Sequence, residues 1–448
     1  MQPFFDFLGQ FTGGAANAFV IVTSVLKIAL ILGGVLQVVP FIIVFERKII
    51  SWVQDRPGPN RVGPFGLLQG IVDGVKLFFK EEIMPRGVDK GLFLLAPCLV
   101  VIPAFLAICI VPVGPIIQGE HLDAYAGFFG LDPGMVGTNG EISHVAMAIS
   151  NPNIGILYLL AITSVGVYGI TIAGWSSNNK WSLIGGIRAS AQMISYEITL
   201  SLAVIGVVLL AGSLNLYDII DSQRGGFWHW NVIAQPVAIL LFVVAMFAET
   251  NRLPFDLAEA EAELTGGFHT EYSSMRFALF FMGEYVNMVI VSAACVTLFL
   301  GGFLGPVPLP WDALIEQFGL AAILAFYLVG PMVILPAKIG FFIFLFIFAR
   351  ATLPRLRYDQ LMTLGWKYML PIGIINLIVT ACGVAIDMAI TQDGQVGWVT
   401  KVSIGVVTLA MFLGWELLIF SRNRRAQLAR EYRNLFRKES SSDPALAS

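Results

Sequence analysis

Charge is what this 448-residue chain has least of: Asp, Glu, Lys and Arg make up 13% of it, against 57% hydrophobic residues. A soluble domain carries about 25% charged residues, so the composition excludes one and points to an integral membrane protein. Cysteine is scarce too. Cys98, Cys109, Cys295 and Cys382 all fall inside apolar segments with no CxxC pair, the setting of small packed hydrophobes rather than cluster ligands. His121, His144, His229 and His269 are scattered, without HExxH-like spacing. The chain therefore carries no iron–sulfur, haem or zinc motif, and any electrons it deals with must be carried by another subunit. A basic n-region is also lacking, with Asp6 ahead of the first apolar run. We expect the first span to be retained as an anchor rather than removed as a signal peptide.

Long apolar runs take up the space that charge leaves. Phe19–Phe45 and Phe277–Leu300 reach the ~20 residues that a helix needs to cross about 30 Å of hydrocarbon. Barrel strands would alternate and be half as long. The predicted fold class is all-α, a polytopic transmembrane helix bundle of about nine spans. They lie near residues 22–45, 91–113, 154–174, 192–211, 232–248, 277–300, 319–348, 367–390 and 399–420. The seventh contains Pro331, Pro336 and Lys338, and a kink or break is expected there. Twenty-three of the twenty-seven Lys and Arg lie in 46–90, 175–191, 249–276, 350–367 and the tail 421–448. The positive-inside rule puts those segments in the cytoplasm and the N-terminus outside. The 114–153 segment, rich in Gly and Pro, is then an outer loop. The basic tail is expected to anchor against anionic lipid or to touch a neighbouring subunit, and its Ser-rich end to be disordered.

Against this background four carboxylates stand out: Glu46, Glu197, Glu249 and Glu284. A carboxylate near the bilayer centre costs at least ~2.5 kcal/mol, so each is a functional candidate, with a snorkelling or capping role as the ordinary alternative. Beyond Glu249 lies the most acidic stretch, ETNRLPFDLAEAEAELTGGFHTEY (249–272). If LAEAEAEL is helical, Glu259 and Glu263 share a face at i,i+4, close enough to share protons, and Glu261 points away. The stretch is either a solvated loop or one that folds back into the membrane surface through Leu253, Phe255, Leu257 and Phe268. The first polar loop holds RPGPNR (56–61), a turn stiffened by two prolines, and then GLLQGIVDGVKLFFKEE. The latter reads as an amphipathic interfacial helix with Asp73 and Lys76 at i,i+3. With WSSNNKWSLIGGIRASAQMISYE (175–197), these loops suggest a docking platform above a polar cavity.

Three stretches carry a family resemblance: ERKIISWVQDRPGPNRVGPFGLLQGIVDGVKLFFKE, GWSSNNKWSLIGGIRASAQMISYE and FAETNRLPFDLAEAEAELTGGFHTEYSSMRFALFFMGEY. They closely resemble the cytoplasmic-loop signatures of the NuoH family. That family is a membrane component of respiratory complex I (NADH:quinone oxidoreductase), called NADH dehydrogenase subunit 1 in mitochondria. The likeness runs from about Val39 to Arg357. It departs in an enlarged 114–153 loop, a ninth helix and the basic tail. Residues 1–398 would then be an eight-helix core, 399–420 an added helix, and 421–448 a tail with no inherited role.

The resemblance implies a place at the junction of the membrane and peripheral arms of the complex. There the subunit would form the membrane side of a chamber for a lipid-soluble quinone, ubiquinone or menaquinone, and link its reduction to proton pumping. Glu46 and Arg47 would line the chamber mouth. Arg56 and Arg61 would contact partners, and Asp73 and Lys76 would shape the first loop. Arg188 and Glu197 would lie on the inner cavity wall. Arg252, Asp256, Glu259, Glu261 and Glu263 would form a mobile acidic loop beside the quinone path, while Glu197, Glu249 and Glu284 lead towards the pump. No metal, flavin or iron–sulfur cluster is implied in this chain. The implied partners are peripheral-arm quinone-site and iron–sulfur subunits, small membrane-arm subunits and membrane lipid, with no nucleic acid. The implied location is a bacterial plasma (inner) membrane. Three other readings stay open: a homologous subunit of a membrane-bound hydrogenase-type complex, an autonomous secondary transporter, and a purely structural anchor for the peripheral arm.

Overall fold

The computed structural model describes residues 15–118, 144–256, 266–307, 329–391 and 396–415. They form a helical bundle. Helix α1 spans Ala15–Val53, the short α2 spans Gln69–Phe79, and α3 spans Lys90–Ile108. Helices α4 and α5 cover Gly155–Ser176 and Lys180–Ala211, followed by the shorter α6 at Pro236–Glu249. Then come α7 (Ser274–Phe299), α8 (Leu335–Thr352), α9 (Leu370–Thr391) and α10 (Trp398–Trp415). Among the described residues eight helices are long and apolar enough to cross a membrane, and α6 is a further apolar helix below that length. Each of the nine positions indicated by hydropathy thus holds an apolar helix. One antiparallel strand pair joins Ile116–Gln118 to His144–Ala146, which hydropathy alone does not reveal.

Two boundaries differ from those expected from sequence, each for a local reason. Helix α1 continues through Glu46 to Val53, so ERKIISWV is helix, and the first polar loop begins at Gln54. Helix α5 starts at Lys180, because the Asn179 side chain accepts a hydrogen bond from the Trp181 N–H, an N-cap. Most of the second polar loop is therefore helical. The seventh span carries an irregularity at its prolines, where a kink or break is expected. It runs as a π-helical turn at Gly330–Ile334 straight into α8, with Pro336 in the first turn of α8, where a missing N–H is tolerated.

Small residues set how closely these helices approach, as they do in membranes, where lipid is as apolar as the core. A methyl group on Gly169 of α4 would come within 2.6 Å of Val100 on α3, and one on Gly174 would reach the Ser182 carbonyl of α5 at 2.8 Å. Gly185 of α5 lies against the backbone of Gly267, which a Cβ would meet at 2.7 Å. That last contact seats the end of the third polar loop. The Ser182 hydroxyl donates to the Phe268 carbonyl at 2.8 Å, and Asn179 Nδ2 to Glu271 at 2.7 Å. From the first loop, the Leu77 and Lys80 carbonyls accept from the Ser274 hydroxyl at 3.0 and 2.7 Å, and Glu82 pairs with Arg276 at 3.1 Å. Tyr272 stacks on Phe93 with centroids 4.0 Å apart. Burial pushes its phenol up to about 12, so it remains a donor to the Phe93 carbonyl at 3.3 Å. The three polar loops are one hydrogen-bonded platform at one end of the bundle.

Gly185→Ala is expected to lower the melting temperature of the purified protein by several degrees, because the methyl group meets backbone rather than a side chain that can move. Gly74→Ala, whose Cβ would meet nothing within 4 Å, should be neutral or stabilising by up to about 1 kcal/mol. Equal melting temperatures for the two variants would contradict this packing.

Candidate functional site

The ends of α1, α6, α7 and α8 converge beneath the platform on a buried set of charges. Glu46, 5% exposed, is at its centre. Its Oε2 accepts a hydrogen bond from the Tyr285 hydroxyl at 2.5 Å, and its Oε1 accepts one from Arg350 and lies 3.7 Å from Arg252. Arg252, 7% exposed, also reaches Glu284 at 3.6 Å and lies over the Tyr285 ring at 4.3 Å. Two carboxylates thus balance two guanidiniums. Hydrocarbon penalises any of these charges alone. A second pair, Asp256 with Arg355 at 3.2 Å, lies nearby where the chain leaves the turn.

Local structure delivers Arg252 to this place. Helix α6 ends at Glu249, and Asn251 takes a left-handed conformation with φ 49°, which Asn tolerates better than most residues. Gln192, buried on α5, donates to the Ala248 carbonyl at 2.9 Å, Asn251 Oδ1 at 3.1 Å and the Phe255 carbonyl at 3.0 Å. It thereby holds both sides of the turn. Phe255 and Phe268 are buried, so the two described ends of the acidic stretch fold into the protein. Glu259, Glu261 and Glu263 lie outside the described residues.

Two small cavities lie near the charge cluster, and Glu284 lines one of them. One, lined by Glu284, Asn287, Thr250, Asn251, Glu249 and Thr163 among others, has a volume of about 40 Å³, room for a few waters. The other, about 20 Å³, runs from Glu249 and Thr163 among apolar side chains to Leu216 and Leu298. Glu249 lines both. Glu197 is half-buried and close enough to Glu249 for the two carboxylates to interact electrostatically. Glu284 and Glu249 therefore share a space that can hold water, with Glu197 beside it.

The remaining candidates lie elsewhere. Arg47 turns away from Glu46 and pairs with Asp73 of α2, which also accepts from Gln69 at 2.9 Å and lies 3.6 Å from Lys76. The first loop is thus fastened to α1 by a partly exposed ion-pair group. Arg56 and Arg61 are exposed on the loop surface, as is Arg188 on α5. The helix period accounts for the exposure of Arg188. Ser182, Gly185, Ala189, Gln192 and Tyr196 form the buried stripe, and position 188 falls outside it. Arg350, Tyr285, Arg355 and Gln192 belong to the site although the sequence alone does not single them out. Arg350 has a signal, an arginine at the end of an apolar helix, but one that reads equally as loop charge. Among the described residues no group of three or more His, Cys, Asp or Glu could hold a metal ion.

Known proteins share this arrangement of sequence. The sequence model of the NADH dehydrogenase family matches residues 26–381, ending before α10. The second NADH-quinone oxidoreductase H subunit of Koribacter versatilis is 45% identical over 371 residues, covering 82% of this chain and 99% of the relative. The H subunit of Leptospira biflexa is 46% identical over 352 residues, 78% of this chain and 91% of the relative. The second H subunit of Geobacter metallireducens is 47% identical over 363 residues, 80% of this chain and 94% of the relative.

Arg252→Met takes the Arg252 guanidinium away from two buried carboxylates and is expected to destabilise the protein by roughly 3 kcal/mol. Arg47→Met breaks only a partly exposed pair and should cost under about 1 kcal/mol. Thermal unfolding of the two purified variants, followed in parallel, checks the ranking.

Proposed function

The chain belongs to the NADH dehydrogenase family, as a membrane subunit of the NADH-quinone oxidoreductase type, and we propose that it forms the membrane side of the quinone chamber and couples quinone reduction to proton pumping through its buried carboxylates. It is an integral membrane protein and a component of an enzyme complex. The observation that carries the proposal is the paired cluster of Glu46, Arg252, Arg350, Glu284 and Tyr285 beneath the platform, joined by a cavity to Glu249.

The chemistry follows from charge balance. Reduction of a quinone to a quinol takes two electrons and two protons, so negative charge develops on the headgroup oxygens before protons arrive. The electrons come from a partner, since this chain has no redox motif. Arg252 and Arg350 are guanidiniums already held in a low-dielectric site, where electrostatic stabilisation is strongest and needs little reorganisation. Any new negative charge near them competes with Glu46 and Glu284 for the same guanidiniums. Loosening either pairing changes the proton affinity of that carboxylate. Glu284 shares its cavity with Glu249, and Glu249 interacts with Glu197, so the disturbance has a route inward along groups that can take and release protons.

On this reading the platform supports the peripheral-arm quinone-site and iron–sulfur subunits. The exposed Arg56, Arg61 and Arg188 then serve docking. Asp73 and Lys76 hold the first loop against α1. Asp256, Glu259, Glu261 and Glu263 flank the path, on the segment between the turn and Gly266. The charge asymmetry supports a platform on the cytoplasmic side, in a bacterial plasma membrane on this reading, and the names of the relatives favour quinone over a hydrogenase-type partner.

Glu249→Gln and Glu197→Gln are each expected to lower pumping or quinone-dependent turnover by roughly tenfold or more while the complex still assembles. The check is NADH oxidation and membrane potential measured on the reconstituted complex in vesicles. Unchanged pumping and turnover in both variants would overturn the proton-path assignment.

A further inference from the structure

At the far end of α7 from the charge cluster, the chain leaves the helix through Leu300–Leu304. Gly301 and Gly302 both take left-handed conformations, with φ 69° and 55°, which consecutive residues with side chains would resist. This double reversal turns three backbone carbonyls towards one point. The Lys338 ammonium of α8 occupies that point and donates to the carbonyls of Leu300 at 2.5 Å, Gly302 at 2.9 Å and Leu304 at 2.7 Å. The Trp230 ring covers it, 4.2 Å from ring centroid to nitrogen. An ammonium has three N–H donors, and here each has a carbonyl acceptor at the negative end of a helix.

Helices α7 and α8 run antiparallel and are therefore fastened at both ends. At the inner end Arg350 of α8 holds Glu46, which accepts from Tyr285 of α7. At the outer end Lys338 holds the carbonyls that follow α7. By helical rise the two fasteners are about 20 Å apart along the pair, most of the hydrocarbon thickness. Just before Lys338 lies the π-helical turn Gly330–Ile334, a geometry that departs from the regular ladder and is often found at functional positions. The outer clamp thus holds α8 immediately beyond its most irregular turn.

We propose that Lys338 is a positioning residue for energy coupling: its ammonium clamps the outer ends of α7 and α8 so that rearrangement of the inner charge cluster moves the two helices as one body. This rests on the pumping role proposed above. With the clamp intact, a shift in the Glu46–Arg350 or Arg252–Glu284 pairing is carried across the membrane. Without it, α8 yields at the π turn and the inner rearrangement is dissipated there. The cage fits a primary ammonium and not a planar guanidinium fork, so charge alone does not suffice.

The test uses the assembled, reconstituted complex carrying Lys338→Met or Lys338→Arg, with Glu249→Gln in parallel. Both Lys338 variants are expected to keep quinone reduction near wild type while protons moved per electron fall at least about twofold. Amide hydrogen exchange at Gly302 and Leu304 should quicken in the same samples. An unchanged proton ratio would overturn the proposal, as would unchanged exchange at those amides. Full function in Lys338→Arg would show that charge alone suffices and overturn the ammonium cage. Failure of both variants to assemble would reduce Lys338 to a folding role and also overturn it. If Glu249→Gln lowers pumping and Lys338→Met does not, only the clamp fails. If Glu249→Gln leaves pumping intact, the pump reading itself fails, whatever Lys338 does.

Discussion

A carboxylate placed in hydrocarbon must be paired, and the double pairing of Glu46 organises the rest of this protein. Arg350 comes to it from α8, Arg252 from the turn after α6, and Tyr285 from α7. Four segments distant in sequence are fixed relative to one another by a need that no apolar contact could meet so specifically. Removing one partner leaves a buried charge behind, so the arrangement is all-or-none in energy. A site with this property resists thermal disorder. It responds strongly when another negative charge is brought close, because that charge competes for the same two guanidiniums.

The same constraint accounts for the distribution of cations. Most Lys and Arg lie in the platform and tail segments of the sequence. Of the four that do not, Lys27 donates to the Ala146 carbonyl at 3.2 Å, Lys401 to the Ser222 carbonyl at 3.1 Å, and Arg224 pairs with Asp221 at 2.9 Å. Lys338 has its three carbonyls. These exceptions to the charge asymmetry each have a local polar partner. Helix α10 uses the same means. Asp387 accepts from Gly397 N–H and the Thr400 hydroxyl at its start, and Lys401 fastens it to the neighbouring turn, so α10 is attached by polar contacts as well as packing.

Much of this is legible in the sequence, and the illegible part has a physical cause. Long apolar runs announce spans because hydrocarbon thickness fixes their length, and isolated glutamates announce themselves by their cost. Glu46, Glu249 and Glu284 stand out on that ground, and the structure brings Glu46 and Glu284 onto one arginine. Which cation meets which carboxylate is a tertiary matter that no local period encodes. Arg350 is more than three hundred positions from Glu46 and resembles ordinary loop charge. Gln192 resembles one polar residue in a mixed segment, yet it holds the turn that presents Arg252. Which residues of the second polar loop are buried within the chain follows from its helical period, and Arg188 falls on the exposed side. The carbonyl cage has only LGGFL as a signal, and two glycines in a row do not say what they surround.

The central claim is that the charge cluster and the inner carboxylates act as one linked unit. The most direct test is a double-mutant cycle of Glu46→Gln and Glu249→Gln in the assembled complex, reading protons moved per electron. Linkage predicts that the double variant is no worse than the more damaged single variant, because either change interrupts the same route. Losses that multiply to within about twofold would mean that the two carboxylates act independently, and would contradict the account.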